Sequence, residues 1–288
     1  MNNFTLYMIA AGKASLSLLC SVAGGVTNIV LDYLFIAVFR WGIGGAAVAT
    51  GLGYSITAIV GLLVFSNRNS LLHFVRPVCR PQTLGRAVTN GCSEMATALV
   101  NGIITLMFNW TMLKYVGEDG VAAITIISYV LAFAGSLYAG YAYGVAPMLS
   151  FYYGEQNHEK LRKLVRTSLK IIGVIAAATV LVSLAVTEPL VSIFARPGTP
   201  VYGLAVAGNR ICSLALLFVG FNIFASGMFT ALSNGLISAV LAFSRTFVFT
   251  LIAMLVLPVI LGVTGIWLAT PAAELAAVVL SAVMLLKY

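Results

Sequence analysis

Six polar side chains recur along one apolar stretch of the chain, and one of them is a carboxylate. At about 100° per residue of an α-helix, all six fall within an arc of about 120°. They are Asn90, Glu94, Thr97, Asn101, Thr105 and Asn109. Such an arc cannot face lipid, because a charge at the centre of a bilayer costs about 2.5–3.5 kcal/mol even on insertion scales. We expect it to line a water-filled cavity; the alternative is hydrogen bonding between helices.

A carboxylate in a membrane cavity can exchange one cation for another. Removal from water penalises its charged form, so a proton, a metal cation or an organic cation would each neutralise it in turn. Competition for Glu94 would couple entry of H+ or Na+ to exit of an organic cation. The aromatic ring of Tyr129 would attract such an organic cation. The expected ion-coupling or substrate-binding residues are therefore Glu94, Asn101, Thr97, Thr105, Asn109 and Tyr129.

A second pair of charged residues falls inside predicted membrane spans. Arg245 lies about nine residues into its span and Glu274 about ten into the next. At 1.5 Å per residue, these offsets put both roughly 12–15 Å from the inner face of the bilayer core. We predict a buried ion pair with a structural role, holding the last helical hairpin together.

Motifs for other chemistry are missing from the sequence. The four cysteines lack the paired spacing of zinc or redox sites, and His73 and His158 fall in predicted loops. Neither a Gly-rich phosphate loop, a nucleophile elbow nor an HExxH pattern occurs. The sequence therefore predicts no enzyme, no metal site and no bound cofactor.

The composition indicates the elements that must position these residues. Hydrophobic residues make up 61% and charged residues 8% of the 288-residue chain, against roughly 25% charge in soluble proteins. Its apolar runs have the length of about 20 residues that a membrane helix needs, without the alternation of barrel strands. We predict an all-α membrane protein with eight transmembrane helices. These are Ala14–Val38, Gly44–Phe65, Ala87–Leu113, Val121–Met148, Ser168–Val186, Ala205–Thr230, Ile237–Leu257 and Thr264–Leu286.

The net charge of +8 is explained by membrane topology and does not indicate binding of nucleic acid. With both termini cytoplasmic, only Arg40, Lys114, Arg196 and Arg210 of the sixteen basic residues lie toward the outer side. This distribution predicts a multi-pass protein of the cell (inner) membrane. The basic, amphipathic stretch Gly154–Lys170 is expected to lie against anionic headgroups. Asp32 is interpreted as a capped or snorkelling carboxylate near the outer interface.

An internal repeat predicts how the helices are grouped. Gly42–Thr50 matches Gly262–Thr270 at an offset of 220 residues, and each copy begins the second helix of a hairpin. A repeat unit of six helices follows. We expect residues 1–66 to be the terminal hairpin of an incomplete amino-side lobe, 67–86 a cytoplasmic linker, and 87–288 a complete six-helix lobe.

Several segments resemble the multidrug and toxic compound extrusion (MATE) family. They are Asn28–Ile36 with Trp41–Ala47, Gly140–Pro147 with Tyr153–Asn157, and Gly265–Glu274. The resemblance covers nearly the whole chain and implies a cation-coupled antiporter of two six-helix lobes that expels organic, mostly cationic compounds. The family's first four helices have no counterpart here.

Two alternatives to an antiporter remain open. The first is a truncated, non-transporting remnant or a split-gene subunit, which a separate chain or self-association would complete. The second is a lipid-linked saccharide flippase of related architecture, which would need a more uniformly basic cavity.

Overall fold

The computed structural model describes residues 2–67, 72–75 and 81–287, and the side chains of 4–67, 72–75, 81, 85 and 99–285. Within these ranges all regular secondary structure is helical, and seven helical segments are long and apolar enough to cross a membrane. They are Ala14–Val38, Gly42–Ser66, Glu118–Gly154, His158–Ala185, Pro200–Ala231, Gly235–Leu261 and Val263–Leu285. The chain is a multi-pass helical membrane protein.

The third predicted span, Ala87–Leu113, falls within a helix that runs from Pro81 to Tyr115. Many of its side chains lie outside the described residues, so the count of eight spans stays a prediction. The helix that contains the fifth predicted span, Ser168–Val186, starts ten residues earlier, at His158. The Asn157 side chain accepts a hydrogen bond from the Lys160 N–H at 3.1 Å, which caps this early start.

Contacts divide the chain into two compact units, Met1–Pro81 and Gln82–Tyr288. The first contains α1 (Asn2–Ala10), α2 (Ala14–Asp32), a π-helical extension (Tyr33–Val38) and α3 (Gly42–Ser66). Helices α2 and α3 touch at two glycines. A Cβ added at Gly24 would lie 2.8 Å from the Gly53 carbonyl oxygen, and one at Gly53 would lie 2.8 Å from that of Gly24. The hairpin therefore needs glycine at both positions.

The second unit is built from nine α-helices within the described residues. They are α4 (Pro81–Tyr115), α5 (Glu118–Gly154), α6 (His158–Ala185), α7 (Thr187–Phe194), α8 (Pro200–Cys212), α9 (Leu216–Ala231), α10 (Gly235–Phe243), α11 (Thr250–Leu261) and α12 (Val263–Lys287). A 3-10 turn (Ser213–Ala215) joins α8 to α9, and a π-helical stretch (Ser244–Phe249) joins α10 to α11. The span Pro200–Ala231 is the most buried of the described spans. It forms the centre of this unit.

A proline inside α12 explains one contact at this centre. Pro271 has no N–H, so the carbonyl of Trp267 loses its usual helical partner. The buried Cys212 thiol of α8 donates to that carbonyl at 3.3 Å. This bond fixes α12 against α8 and satisfies a polar group that lipid could not.

Candidate functional site

The polar face predicted on α4 is described only in its later half. The side chains of Glu94 and Thr97 lie outside the described residues. Asn101 and Thr105 are exposed on the second unit and Asn109 is half-buried. The Thr105 hydroxyl donates to the Asn101 carbonyl at 2.9 Å, one turn back along the helix.

A cavity of about 220 Å³ opens beside this half of α4. Thr105 and Asn109 of α4, Ser128 of α5 and Thr270 of α12 bring polar groups to it. Its apolar walls come from Ile104, Phe108, Ile124 and Leu131. Three helices thus combine hydroxyl and amide groups with an apolar surface, as small-molecule sites do.

Two of these polar residues were missed by sequence reasoning. Ser128 is an isolated hydroxyl in an apolar span, and its own bond runs to the Ile124 carbonyl of the same helix at 2.8 Å. Thr270 had a weak signal, because it closes the repeated segment Gly262–Thr270. The structure does not bring Tyr129 to this cavity: its ring is 62% exposed and stacks on Phe194 at 6.3 Å between centroids.

Arg245 and Glu274, the two partners of the predicted ion pair, are in contact. The Arg245 Nε donates to both carboxylate oxygens, at 2.8 and 3.0 Å. The Asn222 amide of α9 donates to Glu274 Oε2 at 2.7 Å and to the Glu274 carbonyl at 3.0 Å. Ser281 then donates to Asn222 Oδ1 at 3.1 Å. The cluster joins α9, the π-helical stretch and α12.

This cluster satisfies its carboxylate from within the protein. Glu274 is 8% exposed, and both of its oxygens accept hydrogen bonds. A buried carboxylate with a guanidinium partner holds helices in register and binds a second cation only if that partner leaves. A carboxylate suited to cation exchange should instead have a free oxygen.

Asp32 at the end of α2 has such an oxygen. Its Oδ1 is buried, and no described atom forms a hydrogen bond with it. One turn earlier, the Asn28 amide donates to the Thr50 hydroxyl of α3 at 3.3 Å. Sequence reasoning interpreted Asp32 as capped or snorkelling, whereas the structure buries one of its oxygens inside the first unit. The spacing of Asn28 and Asp32, four residues apart on one helix face, was the available signal.

Within the described residues, no group of three or more His, Cys, Asp or Glu side chains is arranged to hold a metal ion. The polar features described above are therefore a hydroxyl-and-amide cavity, a closed ion-pair cluster and a carboxylate with a free oxygen. Of these, the cavity and the Asp32 oxygen have polar groups open to a ligand, whereas the ion-pair cluster is satisfied from within the protein.

Comparison with known proteins identifies related chains. The family model MatE matches residues 95–256, more than half of the chain. The multidrug export protein MepA of Staphylococcus saprophyticus is 22% identical over 88% of this chain and 56% of its own length. MepA of Staphylococcus haemolyticus is 23% identical over 89% and 56%. The chain thus spans about 56% of the length of these curated relatives.

A solved structure supports the fold. An outward-facing multidrug resistance transporter of the MATE family superposes with a TM-score of 0.83 at 24% identity. The match covers 94% of this chain and 61% of that one. The all-helical architecture described above is therefore the fold of a known class of transporters.

Proposed function

The chain belongs to the MatE family, and from that premise we propose that it acts as a secondary active antiporter for organic, mostly cationic compounds. The coupling ion is H+ or Na+, and the process is multidrug efflux. The observation that carries the proposal is the free, buried oxygen of Asp32 beside the Asn28–Thr50 hydrogen bond. Ionisable residues inside membrane helices mark ion and proton pathways because their burial is otherwise unfavourable.

The ion-coupling step is assigned to carboxylates that can be neutralised in turn. Asp32 fits because a proton or Na+ could bind its buried Oδ1, which accepts no hydrogen bond from the described residues. Glu94 is proposed as a second coupling carboxylate on the polar face of α4. No resident cofactor is required, since the exchanged cations are themselves the substrates of antiport.

The cargo is assigned to the cavity of the second unit. Thr105 and Asn109 supply polar groups from α4, and Phe108 and Leu131 supply apolar surface. At about 220 Å³ the cavity accommodates part of a drug-sized molecule. We propose Asn101 and Thr97 as its continuation along α4, and Tyr129, which stacks on Phe194 away from this cavity, as a separate aromatic contact for a cation.

The membrane arrangement is proposed from helix lengths and charges. Helix α4 has 35 residues, about 52 Å, which is long enough to make an eighth span. The proposed organisation is a hairpin in 1–66, a cytoplasmic linker in 67–86 and a six-helix lobe in 87–288. The excess of basic residues on one side favours cytoplasmic termini and the inner membrane.

Two alternatives to an antiporter remain: a flippase for lipid-linked saccharides, and a subunit that a further chain must complete. A flippase for lipid-linked saccharides is disfavoured because no Lys or Arg occurs among the described residues that line the cavity. A subunit that needs a separate chain or a second copy is tested by adding such a chain to the assay.

The test is equilibrium binding of tetraphenylphosphonium, a lipophilic organic cation, to the purified chain. In an antiporter the two ligands oppose each other's binding, so tetraphenylphosphonium binding should weaken by up to about tenfold for each tenfold rise in H+ or Na+. Asp32→Asn should remove that dependence. Asp119→Asn, the same change at an exposed position, should keep it. Absence of binding, or binding unaffected by either ion, contradicts the antiporter; binding only after a further chain is supplied supports the subunit alternative.

A further inference from the structure

The first four turns of α6 present a strongly basic face. Their five cationic side chains are all exposed: Lys160, Arg162, Lys163, Arg166 and Lys170. At about 100° per residue they occupy an arc of about 160°. Leu161, Leu164, Val165 and Leu169 occupy the other side and pack against the core cluster around Phe224 and Phe229. The basic face is therefore held rigidly on the second unit.

The charge of this face is not balanced within the described part of the unit. The ion pairs among residues 99–285 join Arg210 to Glu188 and Arg245 to Glu274, and neither includes a cation of α6. Lys160 lies over the ring of Tyr152 at 5.7 Å, and Glu159 is the carboxylate that falls within the arc. Cations in the first turns also oppose the helix dipole, whose positive end is at the amino terminus. An external anion would relieve both repulsions.

The position of the basic face relative to the bilayer follows from the length of α6. Its 28 residues extend about 42 Å, roughly 12 Å more than the hydrocarbon core. The continuous apolar run of α6 begins at Ile171, so the excess falls at the start of the basic segment, and Arg166 and Lys170 reach the interface through their long side chains. At the end of α5, the side chains of Phe151 and Tyr153 are 66% and 41% exposed. Tyrosine is enriched at the level of the lipid headgroups, so Tyr153 indicates that the basic face lies among lipid phosphates.

We propose that this face of α6 is a binding site for anionic phospholipids. Arg162 and Arg166 suit two-pronged hydrogen bonding to phosphate oxygens, and Lys163 and Lys170 supply point charges. The apolar side of α6 packs on α9, so a bound lipid would fix the centre of the second unit at the membrane surface. The site is separate from the cavity between α4, α5 and α12 and does not depend on antiport.

The test measures lipid selectivity of the purified full chain by native mass spectrometry in a neutral detergent. Phosphatidylglycerol and phosphatidylcholine are titrated in parallel. Each basic residue near an anionic surface contributes about fivefold to lipid affinity. The triple variant Arg162→Gln, Lys163→Gln, Arg166→Gln should therefore lower the preference for phosphatidylglycerol by about 100-fold.

Two control variants distinguish the loss of a specific site from the effects of lower net charge and of misfolding. The triple variant Arg40→Gln, Lys114→Gln, Arg196→Gln removes the same charge from other exposed positions and should leave the preference within about threefold of wild type, because it spares the basic face. Arg162→Lys, Lys163→Arg, Arg166→Lys keeps the charge and should keep the preference.

Three outcomes would overturn the proposal. They are an unchanged preference after neutralising the basic face, an equal loss in the first control, and complete displacement of phosphatidylglycerol by inorganic phosphate. The last would identify a site for free anions rather than for lipid. Because none of these readouts requires transport, they are independent of the antiporter proposal.

Discussion

Removing the guanidinium of Arg245 should strongly destabilise the second unit. In the substitution Arg245→Met, Glu274 would keep its charge in a site where it is 8% exposed. The Glu274 carboxylate would lose the hydrogen bonds from Arg245 at 2.8 and 3.0 Å and keep only the one from the Asn222 amide at 2.7 Å. Breaking a buried ion pair from one side costs about 3–5 kcal/mol. For a unit of this size, that corresponds to a fall of about 10 °C in melting temperature.

Neutralising both partners should restore most of the loss. In the double variant Arg245→Met, Glu274→Gln, no charge is left unpaired, and the Asn222 amide can still donate to the glutamine oxygen. We expect the double variant to lie within about 2 kcal/mol of wild type, since a neutral pair of similar volume often costs little. The coupling energy between the two sites should therefore exceed about 2 kcal/mol.

The buried Cys212 thiol provides the assay. In a background where the other three cysteines are replaced by alanine, a maleimide dye should label this residue only when the second unit unfolds, because its thiol is buried and bonded to the Trp267 carbonyl. Melting curves of the wild type, the two single variants and the double variant complete the cycle. If the double variant loses the sum of the two single losses, the ion pair has no coupling energy and its structural role is refuted.

Two further predictions concern close approaches of helices. Gly208→Ala should destabilise the second unit by about 1–3 kcal/mol, because the new Cβ would lie 2.9 Å from the Trp267 ring. Gly203→Ala on the same helix, where nothing lies within 4 Å, should leave the stability unchanged. Equal melting temperatures for the two variants would contradict this packing. Gly24→Ala should separate α2 from α3, since its Cβ would lie 2.8 Å from a carbonyl oxygen of α3. Gly25→Ala meets nothing within 4 Å, so trypsin should cleave the first unit faster in the Gly24 variant alone.

The features that depend on a single helix or hairpin and on the thickness of the membrane could be predicted from the sequence. Apolar runs give membrane helices because lipid leaves the backbone no other partners. The contact between Arg245 and Glu274 follows from counting residues from each end of a hairpin. Contacts across three helices could not be predicted: Asn222 joins this pair only because α9 passes beside α12, which no spacing along the chain encodes.

The candidate site shows the same limit. The polar face of α4 was visible because its residues recur at helical spacing. Ser128 and Thr270 could not be predicted, because each is a single hydroxyl in an apolar helix. They line a cavity only because three helices meet beside them. The burial of one Asp32 oxygen was not predicted, since the distance of Asp32 from the end of its span suggested contact with water. The half-buried residue keeps its Oδ1 out of solvent and without a hydrogen bond from the described residues.

Exchange across a membrane tests the central claim most directly. Vesicles containing the chain are loaded with tetraphenylphosphonium and diluted into medium without it. The outward gradient should drive H+ or Na+ into the vesicles, as an internal pH dye or labelled Na+ would record, and Asp32→Asn should abolish this counter-movement. Release of tetraphenylphosphonium above that from protein-free vesicles that moves neither ion, or counter-movement that persists in Asp32→Asn, would contradict coupling through this carboxylate.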